Sequence, residues 1–333
     1  MNQKVKPKIL MTEAMPLIEE ERKILEKSAD VKLAKSIHED HLVVEVGDVD
    51  IIMVVYAKIT KRIIDSAKSL KGIVRYGIGV DNIDLDAATK RGIPIANVPD
   101  YCIGTVADHA FAHLLALNRK ILMADKFVRT GEYMGAWTSP SDKIKGFDLE
   151  GKVLGIIGLG KVGRALVARA KGFGMKVRAY DPYIDEEVAK ELTLELVDLD
   201  TILKESDFVS IHAPLLPETR GMIGERELKL MKKTAYLINV ARGPIVDEKA
   251  LNKALKENWI AGAGIDVYEK EPPDPENPLF KLENVVLTPH IAWYTEDALW
   301  RLEMSAVNEA IRILQGRLPK NLVNKEASLC MKK

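Results

Sequence analysis

An excess of charge of either sign is missing from this chain. Its 333 residues hold 49 Lys and Arg against 49 Asp and Glu, a formal net charge of zero. That balance removes the electrostatic footprint of a nucleic-acid binder or of a protein held on an anionic membrane. Long apolar runs are missing too. The most apolar windows, residues 42–56 and 110–117, are broken by charge or fall short of the ~20 residues a membrane-spanning helix needs. The first fifteen residues, MNQKVKPKILMTEAM, carry basic residues without an apolar core, so no signal peptide is expected.

Cysteine is scarce, with only Cys102 and Cys330 present. Two cysteines in a chain of this size suit a reducing compartment, and a cytoplasmic protein is expected. Cys102 reads as a small buried hydrophobe. Glutamine is just as scarce, at Gln3 and Gln315 alone, while Lys and Glu are plentiful. That composition suits a heat-adapted source; a thermal midpoint in the ordinary mesophile range would overturn the expectation. Histidine occurs 6 times, so each one has to be placed.

What is present is alternation of strand and helix. Apolar, β-branched runs at 8–12, 50–56, 72–76 and 93–98 predict buried strands. Between them lie helices over 60–70 and 84–91, and a first helix opened by Pro16 and the acids Glu19, Glu20 and Glu21 and running to about Lys27. Such alternation predicts a parallel, doubly wound α/β sheet. A long helix is expected over Ile103–Ile121, then a turn-rich excursion over 129–146. A second βα series runs from Gly151 to about Val286. The final helix, Glu296–Gln315, opens with acids and stops at Gly316. The length suits two domains.

The most informative passage is KVLGIIGLGKVGRALVARAKGFGMKVRAYDPY, residues 152–183. Gly158, Gly160 and Gly163 form G-x-G-x-x-G, with Lys161 and Val162 between the second and third glycines. An apolar strand precedes the motif, an Ala-rich helix follows, and a second strand ends in Asp181, 18 residues past the last glycine. In that context Gly158 makes a tight turn, Gly160 lets the backbone approach a pyrophosphate, and Gly163 permits close helix–strand packing. Asp181 would accept hydrogen bonds from ribose hydroxyls and repel a 2′-phosphate. No cation follows it in Pro182 and Tyr183, so the cofactor expected is NAD rather than NADP.

Three later strand ends carry candidate chemistry. One ends in Asn239 and Val240 with Arg242 just beyond; one ends at Asp266 with Glu271 five residues on; one leads to His290. In an open α/β sheet, ligands bind outside the carboxyl ends of the strands. Carbonyl reduction needs a hydride at carbon and a proton at oxygen. His290 suits the proton, Glu271 could orient and charge its ring, and Arg242 offers a planar fork to a carboxylate. His109 and His113, four apart on a helix, have metal-ligand spacing. No glutamate follows His109 and no third ligand is evident, so a core or interface role is expected and no metal. His38 and His41 sit in a charged helix and read as solvated.

With GIGVDNID (77–84), GLGKVG plus Asp181, NVARGPIVDE (239–248), DVYEKEP (266–272) and TPHIAW (288–293), the chain resembles the D-isomer-specific 2-hydroxyacid dehydrogenase family over nearly its whole length. The resemblance implies the catalytic set Arg242, Glu271 and His290, with His290 as acid/base. It implies that the Ile78 and Gly79 amides bind a substrate carboxylate, with Arg75 as a second anion contact. Asp266 would hold the nicotinamide carboxamide, Val106 would touch the nicotinamide face, and His212, Pro214 and Thr219 would line the adenine side. It further implies a Rossmann-type cofactor domain, residues 103–294, inserted into a flavodoxin-like substrate domain of residues 1–102 plus 295–333. A homodimer built on residues 122–148 is also implied.

Leu216 stands where relatives often carry Thr. Trp293 follows the PHIA stretch as in C-terminal-binding-protein corepressors and their prokaryotic relatives, and would line the substrate pocket or pack beneath it. Substrates in view are glyoxylate, hydroxypyruvate, phosphoglycerate and larger apolar 2-oxo acids. The rival from another class is an NAD-sensing dimeric scaffold with little or no turnover. A formate-type enzyme is disfavoured because Glu271 stands where those enzymes pair their His with Gln.

Overall fold

The computed structural model describes residues 6–131 and 144–327. In chain order the elements open with β1 (Lys8–Met11), α1 (Ile18–Leu25), β2 (Asp30–Leu33), α2 (Glu39–Glu45), β3 (Ile51–Val54), α3 (Lys61–Ser66), β4 (Gly72–Arg75), α4 (Leu85–Lys90) and β5 (Ile95–Ala96). There follow α5 (Ile103–Asn118), α6 (Ile121–Arg129), β6 (Val153–Ile157), α7 (Lys161–Gly172), β7 (Lys176–Tyr180), α8 (Glu186–Glu191), β8 (Glu195–Leu196), α9 (Leu199–Glu205) and β9 (Phe208–Ile211). The series closes with α10 (Glu225–Leu230), β10 (Tyr236–Asn239), α11 (Glu248–Lys256), β11 (Gly262–Ile265), β12 (Val285–Leu287) and α12 (Glu296–Leu314). They form two compact units, Met1–Cys102 with Tyr294–Lys333, and Ile103–Trp293.

The first unit is a five-stranded sheet in the order β2-β1-β3-β4-β5, all parallel. That is the flavodoxin-like order. β1, β3 and β4 read as continuous apolar runs because both faces of a parallel sheet are covered by helices. α12 packs on β3 and β4, and Gly72 is what admits it: a Cβ there would stand 2.8 Å from Ile313 Cδ1. The helix starts where the Thr295 hydroxyl accepts the Ala298 amide at 3.3 Å and ends before Gly316, whose φ of 71° few other residues adopt cheaply. Beyond it, Asn324 accepts the Ile95 amide at 2.8 Å and donates to the Ile93 carbonyl at 2.9 Å, tying the chain's return to β5.

The second unit is a seven-stranded parallel sheet, β12-β11-β10-β9-β6-β7-β8. Its first strand, β6, lies at the point where the order reverses, which is the Rossmann arrangement. Every residue of β9, β10 and β11 is buried. α5 packs against α7 and against β10 and β11.

Three features differ from the sequence-based expectation. β2, DVKL, is an edge strand with one half-buried and three exposed residues, so it carries no apolar run to announce it. The helix expected over Ile103–Ile121 stops at Asn118; Lys120 adopts φ 52° and the chain restarts as α6, with no Gly or Pro to signal the break. Strands β3 and β5 and helix α3 are shorter than the spans expected for them, 50–56, 93–98 and 60–70. His38 sits at the N-cap of α2 and His41 within it. Most of the turn-rich excursion, and Cys330, lie outside the described residues.

Candidate active site

The glycine turn joins β6 to α7. Gly158 has φ 93°, and a Cβ on it would stand 2.6 Å from the Ala213 amide nitrogen. A Cβ on Gly163 would stand 2.3 Å from the Gly158 carbonyl oxygen. At Gly160 a Cβ would meet nothing within 4 Å, so the space beside this backbone is open. α7 runs 12 residues, and its first turn presents backbone N–H groups and the positive end of the helix dipole at Lys161 and Val162. Asp181 closes the other side, its carboxylate accepting the Leu159 amide at 2.8 Å and the Tyr183 amide at 2.9 Å. These residues fit a dinucleotide: an open approach to the backbone, a helix N-terminus and a carboxylate at the end of the second strand.

After β9, the His212 amide bonds to the Ile157 carbonyl at 2.7 Å and its Nε2 lies 2.8 Å from Ser210 Oγ. Burial pushes this imidazole down to about 4, so it is neutral near pH 7. Thr219 is spent within its loop, donating to the Pro214 carbonyl at 2.6 Å and accepting the Leu216 amide at 2.8 Å. Val106 and Val240 belong to the apolar cluster on the α5 and α7 face of the sheet.

Arg242, Glu271 and His290 stand beyond β10, β11 and β12. Asn239, buried at the end of β10, accepts the Ala241 amide at 3.1 Å and donates to the Arg242 carbonyl at 2.9 Å. Gly243 then passes so close to the next loop that a Cβ would stand 1.9 Å from the Tyr268 carbonyl oxygen. Glu271 Oε1 accepts the Tyr268 amide at 3.0 Å and Oε2 pairs with His290 Nδ1 at 2.6 Å. Burial pushes the Glu271 carboxyl up, but the hydrogen bond and charge of His290, the Tyr268 amide and the nearby Arg242 outweigh it, and the net shift is downward. An ionised carboxylate only accepts, so Nδ1 carries hydrogen and Nε2 is the nitrogen left for a reacting group.

His290 itself has φ 56°. Its amide bonds to the Asp266 carbonyl at 2.8 Å, and the Asp266 carboxylate accepts the Ile291 and Ala292 amides, each at 2.9 Å. Trp293 points its indole N–H back to the His290 carbonyl at 3.0 Å. His109 and His113 are both directed at the Thr288 hydroxyl, at 3.0 and 3.1 Å.

In the first unit, the loop after β4 carries Arg75, Ile78 and Gly79. The Arg75 guanidinium bonds to the Tyr76 carbonyl, and the Asn97 side chain holds the Ile78 carbonyl at 2.8 Å. The amides of Ile78 and Gly79 have no acceptor among the described residues. The neighbouring loop after β3 is clamped twice: Glu13 accepts the Val55, Tyr56 and Ala57 amides at 3.0, 2.8 and 2.6 Å, and Asn82 donates to the Val55 and Ala57 carbonyls.

Residues 111–292 match the family described as D-isomer specific 2-hydroxyacid dehydrogenase, NAD binding domain. The chain belongs to that family. It is an NAD-dependent oxidoreductase acting on the CH–OH group of 2-hydroxy acids. A glyoxylate reductase of Thermococcus litoralis is 46% identical over 97% of this chain and 98% of its own. A D-3-phosphoglycerate dehydrogenase of Methanocaldococcus jannaschii is 42% identical over 95% of this chain and 59% of its own. The crystal structure of an Aquifex aeolicus D-lactate dehydrogenase complexed with NAD and lactic acid superimposes with a TM-score of 0.88 at 30% identity, covering 95% of this chain and 99% of that one. These relatives are named as enzymes, and the scaffold alternative is not favoured.

For a 2-hydroxyacid dehydrogenase, the supporting residues are what the sequence conceals. Asn239, Gly243, Asn82 and Thr288 lie within the blocks that carry the family resemblance and Glu13 outside them, yet nothing local says which groups their side chains meet. Gly243, next to Arg242, is the one local hint, since a glycine permits a close backbone approach.

Proposed function

We propose that this chain reduces small 2-oxo acids with NADH, glyoxylate foremost, using His290 as the acid/base. The observation that carries the proposal is the 2.6 Å pairing of His290 Nδ1 with Glu271, which leaves Nε2 to exchange a proton with substrate. Bound NADH supplies the hydride to the carbonyl carbon. His290 Nε2–H gives its proton to the carbonyl oxygen, and Glu271 stabilises the imidazolium before transfer. Arg242 offers its fork to the carboxylate and the developing alkoxide. The Ile78 and Gly79 amides, with Arg75, take the substrate carboxylate, and Trp293 limits the size of the group beyond the carbonyl.

Toward the cofactor, Gly158, Gly160, Lys161, Val162 and Gly163 hold the pyrophosphate and Asp181 the ribose hydroxyls, which favours NADH over NADPH. Val106, Val240 and Asp266 take the nicotinamide end, and His212, Pro214 and Thr219 the adenine side. In this proposal residues 1–102 with 295–333 form the substrate domain and residues 103–294 the cofactor domain. α6 has no buried residue and exposes Ile121, Leu122 and Val128, which supports a homodimer contact there. Among the described residues no helix is long and apolar enough to cross a membrane, and Cys102 is a buried thiol, in keeping with a reducing cytoplasm.

The test is NADH and NADPH oxidation against glyoxylate, hydroxypyruvate, phosphohydroxypyruvate and branched 2-oxo acids. Glyoxylate turnover with NADH is expected, falling by about 10³ in His290→Asn. Survival of that variant within a few-fold would refute the proton-transfer assignment. NADH binding without turnover of any acid would favour the scaffold.

A further inference from the structure

The loop that carries His290 is held by a buried polar chain that begins on α5. Thr288 Oγ1 donates to Asp266 Oδ1 at 2.6 Å. The same oxygen is met by His109 Nε2 at 3.0 Å and His113 Nε2 at 3.1 Å. A hydroxyl has one proton, and here it is committed to a carboxylate that can only accept. Its lone pairs therefore receive N–H from both imidazoles, so both rings carry hydrogen on Nε2. His113 is 2% exposed, and burial together with the His109 charge drives its imidazole down to about 4, against the smaller opposing effects of Asp266 and the Gly264 backbone, so the ring is neutral. Its other ring nitrogen lies against Gly264, where a Cβ would stand 2.6 Å away, so the ring has a seat only because that strand residue is glycine.

At the far end of the chain is a conformation that must be held. Asp266 is 0% exposed. Its carbonyl and two carboxylate oxygens accept the amides of His290, Ile291 and Ala292 in succession, at 2.8, 2.9 and 2.9 Å. Three consecutive N–H groups ending on one residue wrap the loop around it. His290 is then kept at φ 56°, a left-handed conformation uncommon for a residue with a Cβ. Glu271 reaches His290 from a different segment, so any drift of the His290 main chain lengthens the Glu271 hydrogen bond.

We infer that Thr288 and His113 are positioning residues for His290, acting through Asp266 to fix the left-handed turn that presents the imidazole. The inference rests on His290 being the acid/base. Without the Thr288 hydroxyl, Asp266 Oδ1 loses one donor and two imidazole N–H groups lose their acceptor. The turn loosens, and the Glu271 hydrogen bond that favours the imidazolium weakens.

The experiment uses the full chain with NADH and glyoxylate, comparing Thr288→Val, Thr288→Ser and His113→Leu. Loss of turnover in His290→Asn tests the acid/base assignment separately, so failure of that assignment is distinguishable. For Thr288→Val, kcat should fall about tenfold and the pH midpoint of kcat/KM should drop by about half a unit. NADH affinity by fluorescence should stay within about twofold, and Thr288→Ser should recover both kinetic parameters. If Thr288→Val does not fold, His113→Leu carries the same readouts. A kcat within about twofold of wild type with an unmoved pH midpoint overturns the inference. So does a loss of activity that follows a lowered Tm alone, with the pH midpoint unchanged.

Discussion

Each unit buries carboxylates completely, and treats them in opposite ways. In the second unit Asp266 accepts the Thr288 hydroxyl and the Ile291 and Ala292 amides. In the first, Glu21 on α1 and Glu303 on α12 lie close together, both 0% exposed. Glu21 Oε1 accepts the Tyr76 hydroxyl from β4 at 2.9 Å, while Oε2 has no partner among the described residues. Among the described residues Glu303 accepts only the Leu17 amide, shared between its oxygens at 3.0 and 3.2 Å. Burial, then the charge of Glu303, pushes Glu21 up to about 8 against the smaller opposing effect of Tyr76. Burial pushes Glu303 to about 7, with Glu20 adding to it and the Leu17 amide opposing. Donor count, not depth, separates the two sites. A carboxylate ringed by donors can organise a loop, whereas a buried pair short of donors is favoured in its protonated form.

The largest effect should come from disturbing the well-supplied site. Asp266→Asn replaces an accepting oxygen by an NH₂ facing N–H or O–H donors. We expect kcat to fall by about 100-fold and stability by about 3 kcal/mol, read from initial rates and a urea midpoint. Unchanged rates would mean that the His290 turn does not depend on Asp266.

The donor-poor site predicts a pH dependence of definite sign. Both glutamates have folded pKa values above the unfolded value of about 4.5, so the folded state holds protons that the unfolded state has released. Their contribution is fully present below pH 4.5 and is lost as pH rises through about 7 and then 8. Urea midpoints taken between pH 5 and 9 should therefore fall on the alkaline side. Glu21→Gln should flatten that fall and be the more stable protein at pH 9, by roughly 2 kcal/mol. A variant with the same alkaline slope as wild type would show that Glu21 is already ionised at neutral pH. Smaller again is Tyr76→Phe, which removes the donor to Glu21 and should cost about 1 kcal/mol near pH 8, with little change at pH 5.

Legibility followed the range of the interaction. β1, β3 and β4 are readable as apolar runs because burial on both faces leaves no polar positions, and the glycine turn is readable because its parts lie within 32 consecutive residues, 152–183. Arg242, Glu271 and His290 could be picked out because each follows a strand end. What supports them could not. Asp266 and Thr288 are neighbours because Ile265 is in register with Leu287, a pairing of β11 with β12 that no local pattern states. His113 reaches Thr288 across 175 residues. The i, i+4 spacing of His109 and His113 is legible, but what it means depends on which group the folded chain sets between them. The break at Lys120 was hidden for the opposite reason: helical periodicity continues through it, and only the backbone turns.

The unit formed by both ends of the chain has a consequence for how the protein comes into being. Ile313, which seats against Gly72, and Asn324, which holds Ile95 from 229 residues away, are made after nearly everything else. While a ribosome is still working through the middle of the message, the first hundred residues have a sheet without its covering helix. The nucleotide-binding half, by contrast, is contiguous and has all its strands once Leu287 is made, before α12 exists. The part made first is therefore the part finished last.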